Sequence, residues 1–102
     1  MKIIRQGDVL LVRVKDLPKN ATGRLKDGDV ILAYGEVTGH AHRIKEFDKV
    51  RMWDAGAERF LQVMETVGLS HEEHTAIEIP PGLYKLPSQV EYTPAELRRV
   101  AD

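Results

Sequence analysis

The sequence predicts an all-β protein, a small barrel or sandwich of roughly six to eight short strands with a short C-terminal helix. Three observations support this class. Short segments rich in β-branched residues recur along the chain, turn formers cluster between them, and only the tail has a helical pattern. The 102 residues are one domain's worth of chain, so we expect a single β-barrel-like domain over residues 1–102.

The first half contains two strand segments. Residues 8–14, DVLLVRV, are rich in β-branched residues, and the turn formers of residues 16–23 follow them, which predicts a strand and then a loop. Asp27–Gly28 is a strong tight-turn signal directly before the apolar residues 30–34. We therefore expect a second strand after that turn.

The second half predicts a hairpin and two further strands. Residues 49–55 and 59–66 lie on either side of Gly56, which is the arrangement of a β-hairpin. Residues 74–80, HTAIEIP, alternate with the period of a half-buried strand, and a Pro-Pro-Gly sequence ends them. Residues 83–86, LYKL, begin another strand.

The tail predicts one more strand and then the helix. Residues 89–92, QVEY, fit a strand. Thr93 can cap a helix, Pro94 suits the first helical position, and AELRRVAD contains good helix formers. Leu97 and Val100 would form the inward stripe of this helix.

Composition limits the function classes. Apolar residues make up 42% and charged residues 30%, as in a soluble globular protein. The net charge of -1 creates no field that attracts nucleic acid or an anionic membrane surface. The absence of cysteine excludes disulfides, thiolate metal ligands and cysteine nucleophiles. The first residues contain no long apolar segment, so we expect no signal peptide, no transmembrane helix and a cytoplasmic location.

All four histidines lie in two close pairs. His40 and His42 form an H-x-H pattern, which in a strand directs both imidazoles to one face. His71 and His74 form an H-x-x-H pattern at a turn that enters a strand, where this spacing can bring both rings to one side. If the two segments are neighbours, three or four nitrogens converge. Three imidazoles and a water make an open zinc or iron site, and four imidazoles make a closed one.

Carboxylates next to the histidines complete the predicted site. Glu72, Glu73 and Glu46 can ligate the metal, orient a ligand or accept a proton, and we assign the catalytic assistance to Glu73 or Glu46. An open site would activate a bound water or polarise a carbonyl or phosphoryl oxygen. The sequence thus predicts a divalent metal, zinc or iron, as cofactor and leaves open whether the protein is an enzyme.

Two other interpretations stay open. Histidines near turns also cap strands or pair with neighbouring carboxylates without binding a metal. Exposed strand edges of a short barrel can pair with another copy, so the alternative function is a non-enzymatic self-assembling or adaptor module that forms a homo-oligomer. Nucleic acid is disfavoured as a partner because the net charge is near zero and aromatic residues are few.

The segment GEVTGHAHRIKE resembles the first motif of the cupin family. The family's glycine, two histidines and glutamate correspond to Gly35, His40, His42 and Glu46. Cupins are small β-barrels that hold a metal through three histidines and a glutamate, so the resemblance implies that His40, His42 and Glu46 are ligands. Pro80-x-Gly82 is similar to the family's second motif, but Lys85 stands at the position of its histidine. The third histidine would come from HEEH instead.

Two broader resemblances concern the whole chain. GDVLLVRV and DGDVILAYGEVTG are similar to strands of the GroES-like co-chaperonin barrel, which implies assembly into rings. GDVL, GEVTGHAH, HEEH, P-x-G-x-Y and Q-x-EYTP together resemble small, uncharacterised bacterial and phage-type proteins, which implies a single domain.

Overall fold

A computed structural model of the protein describes residues 3–24, 28, 30–34 and 40–87. Within these ranges the chain is all-β and its paired strands are antiparallel, which confirms the predicted fold class. The strands are β1 (Ile3–Gln6), β2 (Val9–Val14), β3 (Thr22–Arg24), β4 (Val30–Tyr34), β5 (Ala41–Ile44), β6 (Val50–Ala55), β7 (Glu58–Val63), β8 (Val67–Leu69), β9 (Ile77–Ile79) and β10 (Gly82–Leu86), and a 3-10 turn, Phe47–Lys49, precedes β6. The described residues thus contain more strands than the roughly six to eight expected from spacing, because β3, β8 and β9 are only three residues long.

The strands form one large sheet and two small ones. The large sheet has the order β1-β2-β10-β7-β6-β3, and the small sheets pair β4 with β5 and β8 with β9. An isolated antiparallel bridge between Arg43 and Ser70 connects the two small sheets. All three sheets contribute buried side chains to one hydrophobic cluster. The interior therefore lies between the large sheet and the small ones.

The fully buried side chains show how the layers meet. Leu11, Leu61 and Tyr84 come from adjacent strands of the large sheet, and each is 0% exposed. Ile44 and Leu69 come from the two small sheets and are equally buried. Burial of such side chains is worth about 1.5–3 kcal/mol each, so this apolar contact holds the small sheets in place.

The hairpin predicted around Gly56 is confirmed. β6 and β7 pair in antiparallel register, and Gly56 in the turn has a φ of 62°, which glycine adopts without strain. The loop predicted at residues 16–23 is partly wrong, because β3 begins within it and pairs with β6. A bidentate ion pair fastens this short strand: Arg24 donates to Asp54 at 2.9 and 2.7 Å.

Some predictions fall on other parts of the chain. Asp27, the QVEY strand and the C-terminal helix lie outside the described residues. Within the described residues, no helix is long and apolar enough to cross a membrane.

Candidate metal centre

The histidine pairs meet because the two small sheets are bridged. The backbone N–H of Arg43 donates to the Ser70 carbonyl at 2.9 Å, and the N–H of Ser70 donates to the Arg43 carbonyl at 2.9 Å. In an antiparallel bridge, the residue before one partner faces the residue after the other. This register therefore places His42 opposite His71.

Three of the four predicted histidines come together around one point. The ring centroids of His42 and His71 are 4.4 Å apart, those of His71 and His74 are 4.7 Å apart, and those of His42 and His74 are 5.6 Å apart. Each of the three residues offers a ring nitrogen within 4.8 Å of the other two. Residues that are separated by about thirty positions in the sequence thus form one cluster, which we call the histidine triad.

His40 belongs to a second, overlapping group. Its ring lies edge-on to that of His71 with 5.8 Å between centroids, and His40, His71 and Glu72 offer ligand atoms within 4.8 Å of one another. The Nδ1 atom of His40 is buried and has no hydrogen-bond partner among the described residues. His71 belongs to both groups, so a metal held by either group would have His71 as a ligand.

His42 is the most deeply placed ligand candidate. Its residue is 4% exposed, and its Nδ1 lies 2.8 Å from the Oε1 of Gln6. Burial lowers the pKa of His42, and the neighbouring His71 and His74 lower it further. His42 is therefore held in the neutral form, which is the form that binds metal ions.

The end of β1 and the turn after it pack against the histidine triad. Gln6 is 2% exposed, and its Nε2 donates to the carbonyls of Leu69 and Thr75, both at 2.9 Å. Gly7 follows with a φ of 56°, and a Cβ at this position would lie 2.6 Å from the Nε2 of His74. The backbone at Gly7 thus approaches the triad more closely than any side chain would permit.

Sequence reasoning missed this part of the site. It began the first strand at residue 8 and assigned no role to Gln6. Ile3 and Ile4, followed by Arg5 and Gln6 and then by Gly7–Asp8, form a short strand-and-turn signal that could have revealed β1. A lone glutamine carries no comparable signal for a site.

Glu72 connects the loop that carries His71 and His74 to strand β5. Its Oε1 accepts a hydrogen bond from the Ala41 backbone N–H at 2.8 Å, and its Oε2 accepts one from Arg43 at 3.3 Å. The bond from Ala41 is the main cause that lowers the pKa of Glu72. Glu72 is thus an ionised carboxylate at neutral pH that has backbone and guanidinium partners.

Glu73 and Glu46 have different surroundings. Glu73 is an exposed side chain whose Oε1 lies 3.9 Å from the Nδ1 of His40, and its backbone N–H donates to the Nδ1 of His71 at 3.0 Å. The Oε2 of Glu46 accepts a bond from the Gly68 N–H at 3.3 Å. Among the described residues Glu46 belongs to neither ligand group. Catalytic assistance by Glu73 or Glu46 stays a prediction.

The triad has the donor set of an open metal site. Tetrahedral zinc with Zn–N bonds of about 2.0–2.1 Å needs its ligand nitrogens about 3.3 Å apart. The nitrogens of the triad lie within 4.8 Å of one another, so the rings of His71 and His74, which are half-buried and lie on a loop, would have to move closer to hold zinc. A metal bound at the Nδ1 of His71 would replace the hydrogen bond from Glu73.

The fold and the site define a small all-β domain with histidine and glutamate groups that could hold a metal. The chain belongs to the family described as Domain of unknown function (DUF8820), whose sequence profile matches residues 5–89. The matched range includes Gln6, the triad and both histidine motifs. No curated protein and no solved structure matches the chain.

Proposed function

We propose that the protein binds one divalent cation, zinc or iron, through His42, His71 and His74. The observation that carries this proposal is the convergence of three imidazoles, with one nitrogen of each within 4.8 Å of the others. Two independent attachments support that convergence: the Arg43–Ser70 bridge and the hydrogen bonds of Gln6.

Electrostatics favours a metal over protons at this place. Protonated imidazoles this close repel one another, and His42 already has a lowered pKa because of its burial and its two neighbours. A single divalent ion interacts favourably with all three neutral rings at once. Imidazole suits zinc and iron, and the cysteine-free chain offers no competing thiolate.

Three protein ligands support a hydrolytic role. A tetrahedral ion held by three imidazoles keeps a fourth position for water, and the ion lowers the pKa of that water toward neutrality. Glu73 is the candidate proton acceptor, because its carboxylate is exposed and it lies on the same loop as His71 and His74. An ion held by His42, His71 and His74 would activate water for hydrolysis of a carbonyl or phosphoryl bond: the water oxygen would bond to the carbon or phosphorus, the bond to the leaving group would break, and Glu73 would take the proton of the water and pass it to the leaving group.

Zinc titration of metal-free protein, purified without a histidine tag, tests the binding. We expect about one zinc per chain and a zinc-dependent increase in melting temperature, because a ligand that binds the native state stabilises it. His42→Ala, His71→Ala and His74→Ala should each abolish the increase. Equal zinc affinity in the wild type and in all three variants would contradict the proposal.

A self-assembling module is the second candidate function. Among the described residues, β1 and β3 are the edge strands of the large sheet, and Ile3 on β1 is 54% exposed. Such an edge can pair with a second copy of the chain. Light scattering over a range of concentrations, with and without a chelator, tests this candidate. A defined oligomer that persists without metal supports it, and a monomer under both conditions contradicts it.

A further inference from the structure

We propose that Gln6 is a positioning residue for the metal site: it fixes the tautomer of His42 and attaches the loop of His71 and His74 to the same point. This inference rests on the proposed metal function, because positioning matters only if these rings bind an ion. It assigns a role to a buried polar side chain that the metal ligands alone leave unexplained.

The orientation of the Gln6 amide follows from its partners. Its Nε2 lies 2.9 Å from the carbonyl oxygens of Leu69 and Thr75, which can only accept hydrogen bonds. The nitrogen must therefore face these two carbonyls. The Oε1 atom is left to face the Nδ1 of His42 at 2.8 Å.

The tautomer of His42 follows in turn. An amide oxygen can only accept, so the Nδ1 of His42 must donate its hydrogen to Gln6. A neutral imidazole carries one N–H, and the lone pair is therefore on Nε2. Metal-binding histidines commonly donate their second ring nitrogen to such an acceptor, which fixes the ring and makes it a better ligand.

The same amide also orders the other two ligands. Leu69 and Thr75 flank the loop on either side of His71 and His74, and Gln6 binds both of their carbonyls. One side chain thus contacts His42 directly and holds both ends of the loop that carries its partners. Because Gln6 is 2% exposed, water cannot readily replace these three hydrogen bonds.

Two substitutions separate the two roles of the amide. Gln6→Met has a similar length and removes all three hydrogen bonds. Gln6→Glu keeps an acceptor for the Nδ1 of His42 and loses the amide donors. Gln62→Met is the matched control, because Gln62 accepts a hydrogen bond from Trp53 at 3.1 Å and belongs to neither ligand group.

Zinc affinity is measured by competition with a chelating dye. We expect Gln6→Met to weaken binding by about 10–100-fold, as is usual for the partners of metal ligands. Gln6→Glu should recover only part of this loss, because it keeps the acceptor for His42 but not the donors to Leu69 and Thr75, and the control should bind as the wild type does. Wild-type affinity in Gln6→Met, or a loss in Gln6→Glu as large as that in His42→Ala, would overturn the inference. If Gln6→Met does not fold, Gln6→Glu decides alone.

Nitrogen-15 NMR of the histidine rings measures the tautomer of His42 directly. A purely structural role of Gln6 would not change this tautomer. In metal-free wild type at pH 8, His42 should show the Nδ1–H tautomer, and Gln6→Met should show a mixture. A wild-type Nε2–H tautomer would overturn the role of Gln6. Because no metal is present in this measurement, its outcome is independent of whether the wild type binds zinc.

Discussion

Glu72 accepts a hydrogen bond from the backbone N–H of Ala41 at 2.8 Å, across the gap between two segments of chain. The bond lies beside the Arg43–Ser70 bridge. The antiparallel register of that bridge places Ala41 opposite Glu72, and here the side chain of Glu72 accepts the hydrogen bond. The loop that carries His71 and His74 is thereby attached to β5, which carries His42. Glu72 thus helps to hold the ligand-bearing loop in position, and it is also a candidate ligand in the second group.

Glu72→Ala should weaken zinc binding by about tenfold, because the loop loses an attachment next to the ligands. Glu72→Gln should lose less, since its amide oxygen can still accept the bond from Ala41. Dye competition at pH 7.5 measures both affinities. Exposed Glu65, which belongs to neither ligand group, gives the control Glu65→Ala, and an equal effect there would contradict the attachment role.

The two ligand groups make different predictions for single histidine variants. His71→Ala should abolish zinc binding in either case, because both groups include His71. If the triad holds the metal, His74→Ala should lose binding and His40→Ala should retain it within a few-fold. Titration calorimetry of the three variants measures this order. The reverse order would assign the metal to His40, His71 and Glu72.

Acid should destabilise the metal-free protein through His42. The pKa of His42 in the native state lies below its ordinary value of 6.5. Well above pH 6.5 the ring is neutral in both states and contributes no pH dependence. Below pH 6.5 the unfolded state binds a proton that the native state does not, so the free energy of unfolding falls as the pH decreases.

Urea unfolding between pH 7.5 and 5.5, with a chelator present, measures this slope. The range lies above the ordinary value of 4.5 for Glu72, whose pKa is lowered further, so that carboxylate stays ionised throughout. His42→Gln removes the titrating ring and should give a smaller slope than the wild type. An unchanged slope in the variant would show that another group dominates.

The sequence was sufficient to predict the fold class and to identify the two histidine pairs as candidate ligands. Strand periodicity around Gly56 and in residues 8–14 is local, and the structure confirms both elements. Convergence of the pairs depended on a bridge between Arg43 and Ser70, which no local pattern encodes. Long-range register is set by burial of whole strands, and single-sequence patterns do not report it.

The surroundings of the site were harder to predict than its ligands. Gln6 is one polar residue in a strand, and its importance arises from burial against segments more than sixty positions away. Glu46 was assigned from the cupin resemblance and from its proximity in sequence to His42. In the fold its carboxylate accepts a bond from Gly68. Proximity in sequence does not determine which face of a turn a side chain occupies.

Tyr84→Phe should lower stability without changing zinc binding. The Tyr84 hydroxyl donates to the Pro80 carbonyl at 2.7 Å, and the residue is 0% exposed. Removal of the hydroxyl leaves that carbonyl without this donor, at a cost of about 1 kcal/mol. The phenyl ring still fills the core. Urea unfolding and dye competition on one preparation measure both quantities, and a large loss of zinc affinity would contradict the separation of core and site.

Gly7→Ala and Gly56→Ala form a matched pair that tests the contact between Gly7 and His74. The two glycines have φ values of 56° and 62°, so alanine meets a similar backbone strain of about 1 kcal/mol at each. A Cβ at Gly7 would lie 2.6 Å from the Nε2 of His74, whereas one at Gly56 meets no described atom within 4 Å. Gly7→Ala should therefore displace the His74 ring and weaken zinc binding severalfold, while Gly56→Ala should lose stability alone. Similar zinc affinities in the two variants, measured where both are folded, would show that His74 is not positioned by the turn after β1.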